Sequence, residues 1–304
     1  MSLLGNPRMA ALAARAMQGA TGLGARRTIA TAHERWPELP HTTRALRIPT
    51  SVGTAAAVVY LPATAGPSPV HVNFHGGGYV LPLTELDDPL CRYLAAEAGV
   101  TVVNVDYVVA PQHPFPAAPH QAFEVVRWVA EHGAEQGWDG DRLTIGGQRA
   151  GGGLAAAAAR LAHERGGPRI ALQVLHYPPL DLATSAKDKR AVADRPMLRP
   201  WMAEVFDGSY VPDPRQRTDQ LVSPANPADT ADLTGIAPAM VITAELDLLR
   251  DEADCYAERL RHAGALVQHH VVQGADHAYD GNDEERARQV YALIAEQVRD
   301  AVAG

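Results

Sequence analysis

Residues 142–152 read RLTIGGQRAGG, and this stretch decides how the rest of the chain is organised. Its first four residues have the apolar, β-branched character of a buried strand. The alanine-rich run that follows, residues 150–164, predicts a helix. Small residues on both sides of Arg149 indicate a turn so sharp that larger neighbours would collide. Such a turn holds the central residue in a strained conformation and presents its side chain at the end of the strand.

Strand and helix patterns alternate on both sides of this turn, which is typical of a sheet built from βαβ units. Ser51 to Gly53 separates the first two strand-like runs and predicts an antiparallel hairpin there. The fold class is therefore predicted as α/β: a mostly parallel, eight-stranded sheet with helices on both faces. The strands are expected at 43–49, 55–61, 70–74, 100–105, 142–145, 170–175, 239–243 and 266–272, and the helices at 87–98, 119–131, 150–164, 252–262 and 283–302.

Two segments stand outside the alternation. Residues 9–17 form a short amphipathic pattern that fits either a cap element or a packed terminal helix. Between about residues 178 and 237 the sequence turns polar and proline-rich around one helix-like stretch, which carries Met197, Leu198, Trp201, Met202 and Phe206. This insertion follows the sixth strand, where a lid would cover the carboxyl ends of the parallel strands.

Composition narrows the class of partner. The 304 residues carry a net charge of −8 and no lysine or arginine cluster, so neither nucleic acid nor an anionic membrane surface is expected to bind. No run approaches the ~18 apolar residues of a membrane span, and none resembles a secretory signal. Two lone cysteines, Cys91 and Cys255, indicate a reducing compartment. A small molecule, a cytoplasmic location and no metal or cofactor are the expectations; homodimer formation stays open.

Three motifs carry the chemistry. His75 is followed by three glycines directly after a predicted strand, and such a loop can turn its N–H groups toward a developing oxyanion. The turn around Arg149 has the form of a nucleophile elbow without a hydroxyl. Asp247 and His277 follow the last two strands, in the chain order of an α/β-hydrolase triad.

Taken together, these stretches resemble the hormone-sensitive-lipase type of carboxylesterase, a family with the α/β-hydrolase fold. The resemblance covers about residues 60–280 and lies in HGGGY (75–79), DYVVAPQHPFPAA (106–118), GGQRAGG (146–152), SPANP (223–227), ITAELDLLRDEADCYAERL (242–260) and GADHAY (274–279). It implies an N-terminal cap segment at 1–45, a hydrolase domain at 46–304 and a cap insertion at about 180–215.

The resemblance also implies roles for single residues. Asp247 would be the triad acid and His277 the triad base. Backbone N–H groups of Gly76, Gly77 and Ala150 would form the oxyanion hole. Candidates for the wall of the substrate pocket are Tyr79, Trp201, Met202 and Phe206, although the last three fit a cap core equally well.

The departures from the family cluster around the elbow. Arg149 stands where the family carries its nucleophilic serine, and the elbow residue before it, often acidic in the family, is Gln148. No other serine lies on a glycine-flanked strand-to-helix turn. Removal of a triad serine lowers turnover by about 10⁶. We therefore expect a protein that has lost serine-based ester hydrolysis and binds a small molecule.

Two alternatives remain open. His277 and Asp247 could act as a general base in a non-hydrolytic reaction, or an unrecognised nucleophile could preserve ester hydrolysis. Arg149 is expected to project into the cavity below the cap and to need a charged or polar partner. Asp247 is the expected partner inside the protein; a ligand carboxylate or phosphate is the expected partner outside it.

Overall fold

An eight-stranded sheet forms the centre of the computed structural model, which describes residues 6–39, 41–63, 66–190 and 193–303. The strand order is β1-β2-β4-β3-β5-β6-β7-β8. The strands are β1 (Thr43–Ile48), β2 (Ala55–Tyr60), β3 (Ser68–Phe74), β4 (Thr101–Asp106), β5 (Trp138–Gln148), β6 (Leu172–His176), β7 (Ala239–Ala244) and β8 (Leu266–Val272). The predicted α/β fold is confirmed.

The sheet is parallel except at one edge. β1 pairs with β2 and β2 with β4 in antiparallel register, with Leu46 opposite Ala57 in the hairpin. From β4 across to β8 every pair is parallel. Because parallel strands end at the same edge of a sheet, the loops after β3, β5, β7 and β8 meet there.

Helices cover both faces of the sheet, and each face has its own buried apolar cluster. One cluster includes residues of α3, α5 and α7, and the other includes residues of α2 and α8. The helices are α1 (Pro7–Glu34), α2 (Asp88–Tyr93), α3 (Ala117–Glu131), α4 (Gly133–Gln136), α5 (Ala150–Arg165), α6 (Pro200–Tyr210), α7 (Arg250–His262) and α8 (Glu284–Val302). None of the helices in the described part of the chain has the length and apolarity needed to cross a bilayer.

Two helices differ from the sequence prediction. The helix expected over residues 9–17 extends to Glu34 as α1 and packs against α6. The helix of the insertion, α6, begins at Pro200, so Met197 and Leu198 precede it. Gln18 of α1 donates hydrogen bonds to the backbone oxygens of Val80 and Ala110, at 2.8 and 3.0 Å. We propose that α1 and α6 belong to the cap; its boundaries at 1–45 and 180–215 stay predictions.

Candidate active site

The turn between β5 and α5 holds Arg149 in a strained conformation, with φ 56° and ψ −126°. Positive φ is uncommon for a residue with a side chain, and it persists here because the surrounding backbone leaves no room for another path. A Cβ on Gly151 would lie 1.7 Å from the carbonyl oxygen of Phe74. One on Gly147 would lie 2.4 Å from the backbone of Gly151. The small flanking residues are thus required, as the sequence indicated.

Asp247 and His277 form a hydrogen-bonded pair at the carboxyl edge of the sheet. Nδ1 of His277 lies 2.8 Å from Oδ2 of Asp247, and both side chains are buried. The other oxygen of Asp247 accepts from the backbone N–H of Leu249 at 3.0 Å. These contacts fix the orientation of the imidazole ring, whose Nε2 makes no hydrogen bond within the described part of the chain. The predicted contact between the two side chains is confirmed.

The Arg149 side chain leans away from Asp247 and toward Asp280. Its Nη2 lies 3.7 Å from Oδ1 of Asp280, and its guanidinium carbon lies 5.7 Å from the ring centre of Tyr177. The expectation that Asp247 would pair with Arg149 is wrong. Both oxygens of Asp247 already accept hydrogen bonds, one from His277 and one from Leu249. Asp280, three residues after His277, is the carboxylate that lies 3.7 Å from Arg149.

The glycine loop after β3 also differs in one position from the prediction. Gly77 and Gly78 lie on the cavity wall together with Ala150, but Gly76 does not. The Arg149 side chain covers Gly76, where an added Cβ would lie 3.0 Å from the arginine Cδ. Gly77, Gly78 and Ala150 are therefore the residues of the glycine loop and the elbow helix that border the cavity.

A cavity of about 240 Å³ opens above these residues. Its wall is mostly apolar and includes Tyr79, Met202 and Phe206, as expected. Trp201 is not part of the wall and is 46% exposed, because one helical step rotates it about 100° from Met202 on α6. The other lining residues are Leu81, Leu83, Leu86, Arg149, Pro179, Leu182, Ala186, Lys189, Met197, Leu198, Ala203, Asp207, Leu248, Leu249, His277 and Ala278.

Nucleophilic hydroxyls and thiols are scarce in this wall. Among the described residues that line the cavity there is no serine, threonine or cysteine, and the hydroxyl present is that of Tyr79. The ring of Tyr79 stacks on that of Tyr210 with centres 3.9 Å apart, and burial raises the pKa of its hydroxyl. The cavity thus offers a histidine and an arginine, without an activated alcohol beside them.

A sequence profile described as an alpha/beta hydrolase fold matches residues 71–280, which include β3, the elbow and the Asp247–His277 pair. The chain belongs to this α/β-hydrolase family. That result confirms the family indicated by the sequence motifs.

Several relatives of this α/β hydrolase are named as esterases or ester hydrolases. The chain is 37% identical over 243 residues to carboxylesterase NlhH of Mycobacterium tuberculosis, covering 80% of this chain and 76% of that protein. It is 34% identical over 241 residues to ethyl acetate hydrolase of Pseudomonas putida, covering 78% and 74%. The solved structure of a Pyrobaculum calidifontis esterase superposes with a TM-score of 0.85 at 32% identity, covering 95% of this chain and 94% of that one.

Beneath the elbow of this hydrolase lies a buried polar cluster that the sequence motifs did not reveal. Asp280 accepts hydrogen bonds from the hydroxyls of Tyr177 and Tyr291, at 2.6 and 2.7 Å, and from the amide of Gln148 at 2.8 Å. Burial acts to raise the pKa of Asp280, but the Arg149 charge and these donors lower it to about 2. Asp280 is therefore a carboxylate, and it compensates the charge of Arg149.

A second buried carboxyl, Asp87, lies near the same guanidinium. Its Oδ2 accepts from the amide of Asn73 at 3.1 Å, and its Oδ1 has no hydrogen-bond partner in the described structure. Burial raises its pKa to about 7, although Arg149 opposes the rise. Nothing in the spacing of Asp87 or Asp280 distinguishes them from surface acids, since only the fold brings them to position 149.

Proposed function

We propose that this α/β hydrolase has lost serine-based ester hydrolysis and binds a small carboxylate in its cavity, with Arg149 as the anchor. One observation carries the proposal. The Arg149 side chain lines the same cavity as His277, yet none of its N–H groups donates a hydrogen bond to the part of the chain that the structure describes. Its Nε is buried without a partner. A guanidinium has five donors, so a cavity-facing one without acceptors favours an anionic ligand.

The absence of a nucleophile supports the first half of the proposal. Arg149 occupies the elbow, and no serine, threonine or cysteine among the described residues lines the cavity. The esterase names of the relatives describe those proteins. The fold and the histidine–aspartate pair of this chain fit a hydrolase scaffold whose chemistry at position 149 has changed.

Local electrostatics support the second half. The N-terminus of α5 begins at Ala150, and the partial positive charge of a helix N-terminus favours an anion. The Arg149 side chain adds a full charge, which Asp280 offsets through a contact of 3.7 Å that is too long for a hydrogen bond. A ligand carboxylate at the N–H groups of Gly77 and Ala150 could take the unused donors of Arg149 in a planar, two-point contact.

We expect short alkanoates to bind more tightly than their methyl esters, because only the carboxylate can accept charge-assisted hydrogen bonds from Arg149. Such bonds contribute about 1.5–3 kcal/mol, which corresponds to roughly 10- to 150-fold in affinity. Calorimetric titration of butanoate, hexanoate and octanoate beside their methyl esters measures the difference. Arg149→Ala should remove it, whereas Arg127→Ala, on the exposed side of α3, should leave it intact. Equal affinity for acid and ester, or unchanged acid affinity in Arg149→Ala, would contradict the proposal.

A second candidate function rests on the free face of His277. Its Nδ1 is held by Asp247 at 2.8 Å and its ring lines the cavity, which is the arrangement of a general base. The reaction would be a proton abstraction, as in an elimination or a cyclisation. If His277 has no chemical role, a bound carboxylate would be released without having reacted.

If His277 acts as a general base, the C–H protons beside the ketone carbonyl of a bound keto acid should exchange with deuterium when the protein is kept in heavy water, because the carbonyl accepts the electron pair as an enolate. Nuclear magnetic resonance of the recovered ligand measures this exchange directly. His277→Ala should abolish it, while His262→Ala, at the exposed end of α7, should not. Ligands that bind and return without deuterium would leave binding as the function.

A further inference from the structure

The cap side of the cavity carries charged groups that no motif in the sequence indicated. Lys189, from the insertion, and Asp207, from α6, both line the otherwise apolar wall. Glu252, in the first turn of α7, lies behind Lys189, with Nζ and Oε2 2.5 Å apart. We call Lys189, Asp207 and Glu252 the cap-side triplet.

Glu252 is fully engaged, so it orients Lys189 and is not itself available to a ligand. Its Oε1 accepts hydrogen bonds from the backbone N–H groups of Leu180 and Asp181, at 2.8 and 3.1 Å. Its Oε2 takes the Lys189 ammonium. Lys189 is only 8% exposed and has three donors, of which this contact uses one. Lys189 also lines the cavity, and no further hydrogen bond of its ammonium is made within the described structure.

Asp207 supplies the matching acceptor. Its side chain makes no hydrogen bond with any residue in the described structure, although Asp207 lines the cavity. Burial raises its pKa to about 6, while the charges of Lys189 and Arg217 oppose that rise. A ligand group placed between Lys189 and Asp207 would therefore meet a donor on one side and an acceptor on the other.

Lys189 and Arg149 interact with different acidic neighbours. The charges that act most strongly on Lys189 are those of Glu252, Asp207 and Asp181. The carboxyl groups that act on Arg149 are those of Asp280 and Asp87. Apolar side chains such as Leu182, Met202 and Phe206 make up much of the remaining wall. A ligand that spans both ends therefore needs two polar groups with a hydrocarbon segment between them.

The charges of the cap-side triplet indicate which polar group the ligand would carry at that end. With Asp207 ionised and Lys189 already held by Glu252, a second carboxylate on the ligand would be repelled by Asp207. A hydroxyl can accept from Lys189 and donate to Asp207 at the same time. We propose that Lys189 and Asp207 form a specificity subsite for a hydroxyl group, carried at a distance from the carboxylate that Arg149 binds. The ligand class is a medium-chain hydroxy acid, and this assignment rests on the proposed function.

The test compares alkanoates with hydroxy acids of the same length. Calorimetric titration uses butanoate, hexanoate and octanoate beside 4-hydroxybutanoate, 6-hydroxyhexanoate and 8-hydroxyoctanoate. At the length that spans the cavity, we expect the hydroxyl to raise affinity about tenfold, the size of one hydrogen bond to a charged group. Asp207→Leu should abolish this preference, so that the hydroxy acid and the plain alkanoate of that length bind with equal affinity. Asp300→Leu, at the exposed end of α8, is the matched control and should change neither affinity.

The outcomes separate this inference from the function on which it rests. Alkanoates that bind without any preference for a hydroxyl at any length would overturn the subsite alone, leaving the triplet as an anchor between the insertion and α7. A preference that survives in Asp207→Leu would overturn it as well. If no carboxylate binds but methyl 6-hydroxyhexanoate binds more tightly than methyl hexanoate through Asp207, the subsite stands and the carboxylate proposal fails. No binding of any of these compounds overturns both.

Discussion

Arg149→Ser should hydrolyse short p-nitrophenyl esters, whereas the parent protein should not exceed background. The rest of the machinery lies within the same cavity: the Asp247–His277 pair at 2.8 Å, and the N–H groups at Gly77, Gly78 and Ala150. In a serine triad the hydroxyl accounts for up to about 10⁶ in turnover. We expect the variant to exceed the parent by at least about 10³, with the rest lost to imperfect placement of the new side chain.

The controls for this experiment isolate the hydroxyl. Arg149→Ala removes the same bulk and charge without adding a nucleophile, so it should stay inactive. Adding His277→Ala to Arg149→Ser should return hydrolysis to background, because the histidine activates the serine. Since either change at 149 leaves Asp280 without its positive neighbour, folding of each variant is checked by circular dichroism. Hydrolysis by the parent that disappears in His277→Ala would show instead that a different nucleophile operates.

Asp280→Asn should lower the free energy of unfolding by about 3–5 kcal/mol, the usual cost of breaking a buried charge pair from one side. The carboxylate is 5% exposed, compensates Arg149 and accepts three hydrogen bonds, from Tyr177, Tyr291 and Gln148. An amide of the same shape loses the charge and one acceptor. Urea unfolding measures the change, and the exposed Asp300→Asn should stay within about 0.5 kcal/mol of the parent.

A double variant tests whether the loss comes from the Arg149 charge. Arg149→Met combined with Asp280→Asn removes both charges, so it should cost less than the sum of the two single changes. Additive costs would mean that Asp280 stabilises the fold only through the hydrogen bonds that it accepts from Tyr177, Tyr291 and Gln148. A loss in Asp280→Asn no larger than in Asp300→Asn would rule out a buried, charge-compensating role.

The same pair predicts a pH dependence with a definite sign. The folded-state pKa of Asp280 is about 2, below its ordinary value of 3.8. Its contribution to stability is therefore complete above pH 3.8 and is lost as the pH falls toward 2. The difference in unfolding free energy between the parent and Asp280→Asn should shrink across that window. A constant difference would contradict the lowered pKa.

Much of the scaffold was predictable because it depends on local patterns. The strand from Leu266 to Val272 and the turn around Arg149 follow from apolar runs and small residues that have few other conformations. The contact between Asp247 and His277 followed from their places after β7 and β8, since parallel strands bring such loops together. Local sequence patterns were therefore enough to predict the site residues that directly follow strands.

The parts that were missed depend on contacts between distant segments. Asp280 and Asp87 reach position 149 only through the fold, and Lys189 meets Glu252 across 63 residues of chain. The full length of α1 was missed because Gly22 and Gly24 have low helix propensity. Trp201 and Gly76 were misplaced because sequence spacing does not show which face of a helix or loop a neighbouring side chain covers.

The elbow is held by its backbone, and this makes position 149 exchangeable. The N–H of Arg149 donates to the carbonyl oxygen of His176 at 2.9 Å, and the N–H groups of Gly152 and Gly153 donate to the carbonyl of Arg149. No hydrogen bond of the turn uses the side chain of residue 149 within the described structure. A substitution there changes what the protein offers to a ligand while the frame that presents it keeps its shape. A single codon change at position 149 can therefore alter the chemical groups in the site while the backbone of the fold stays the same.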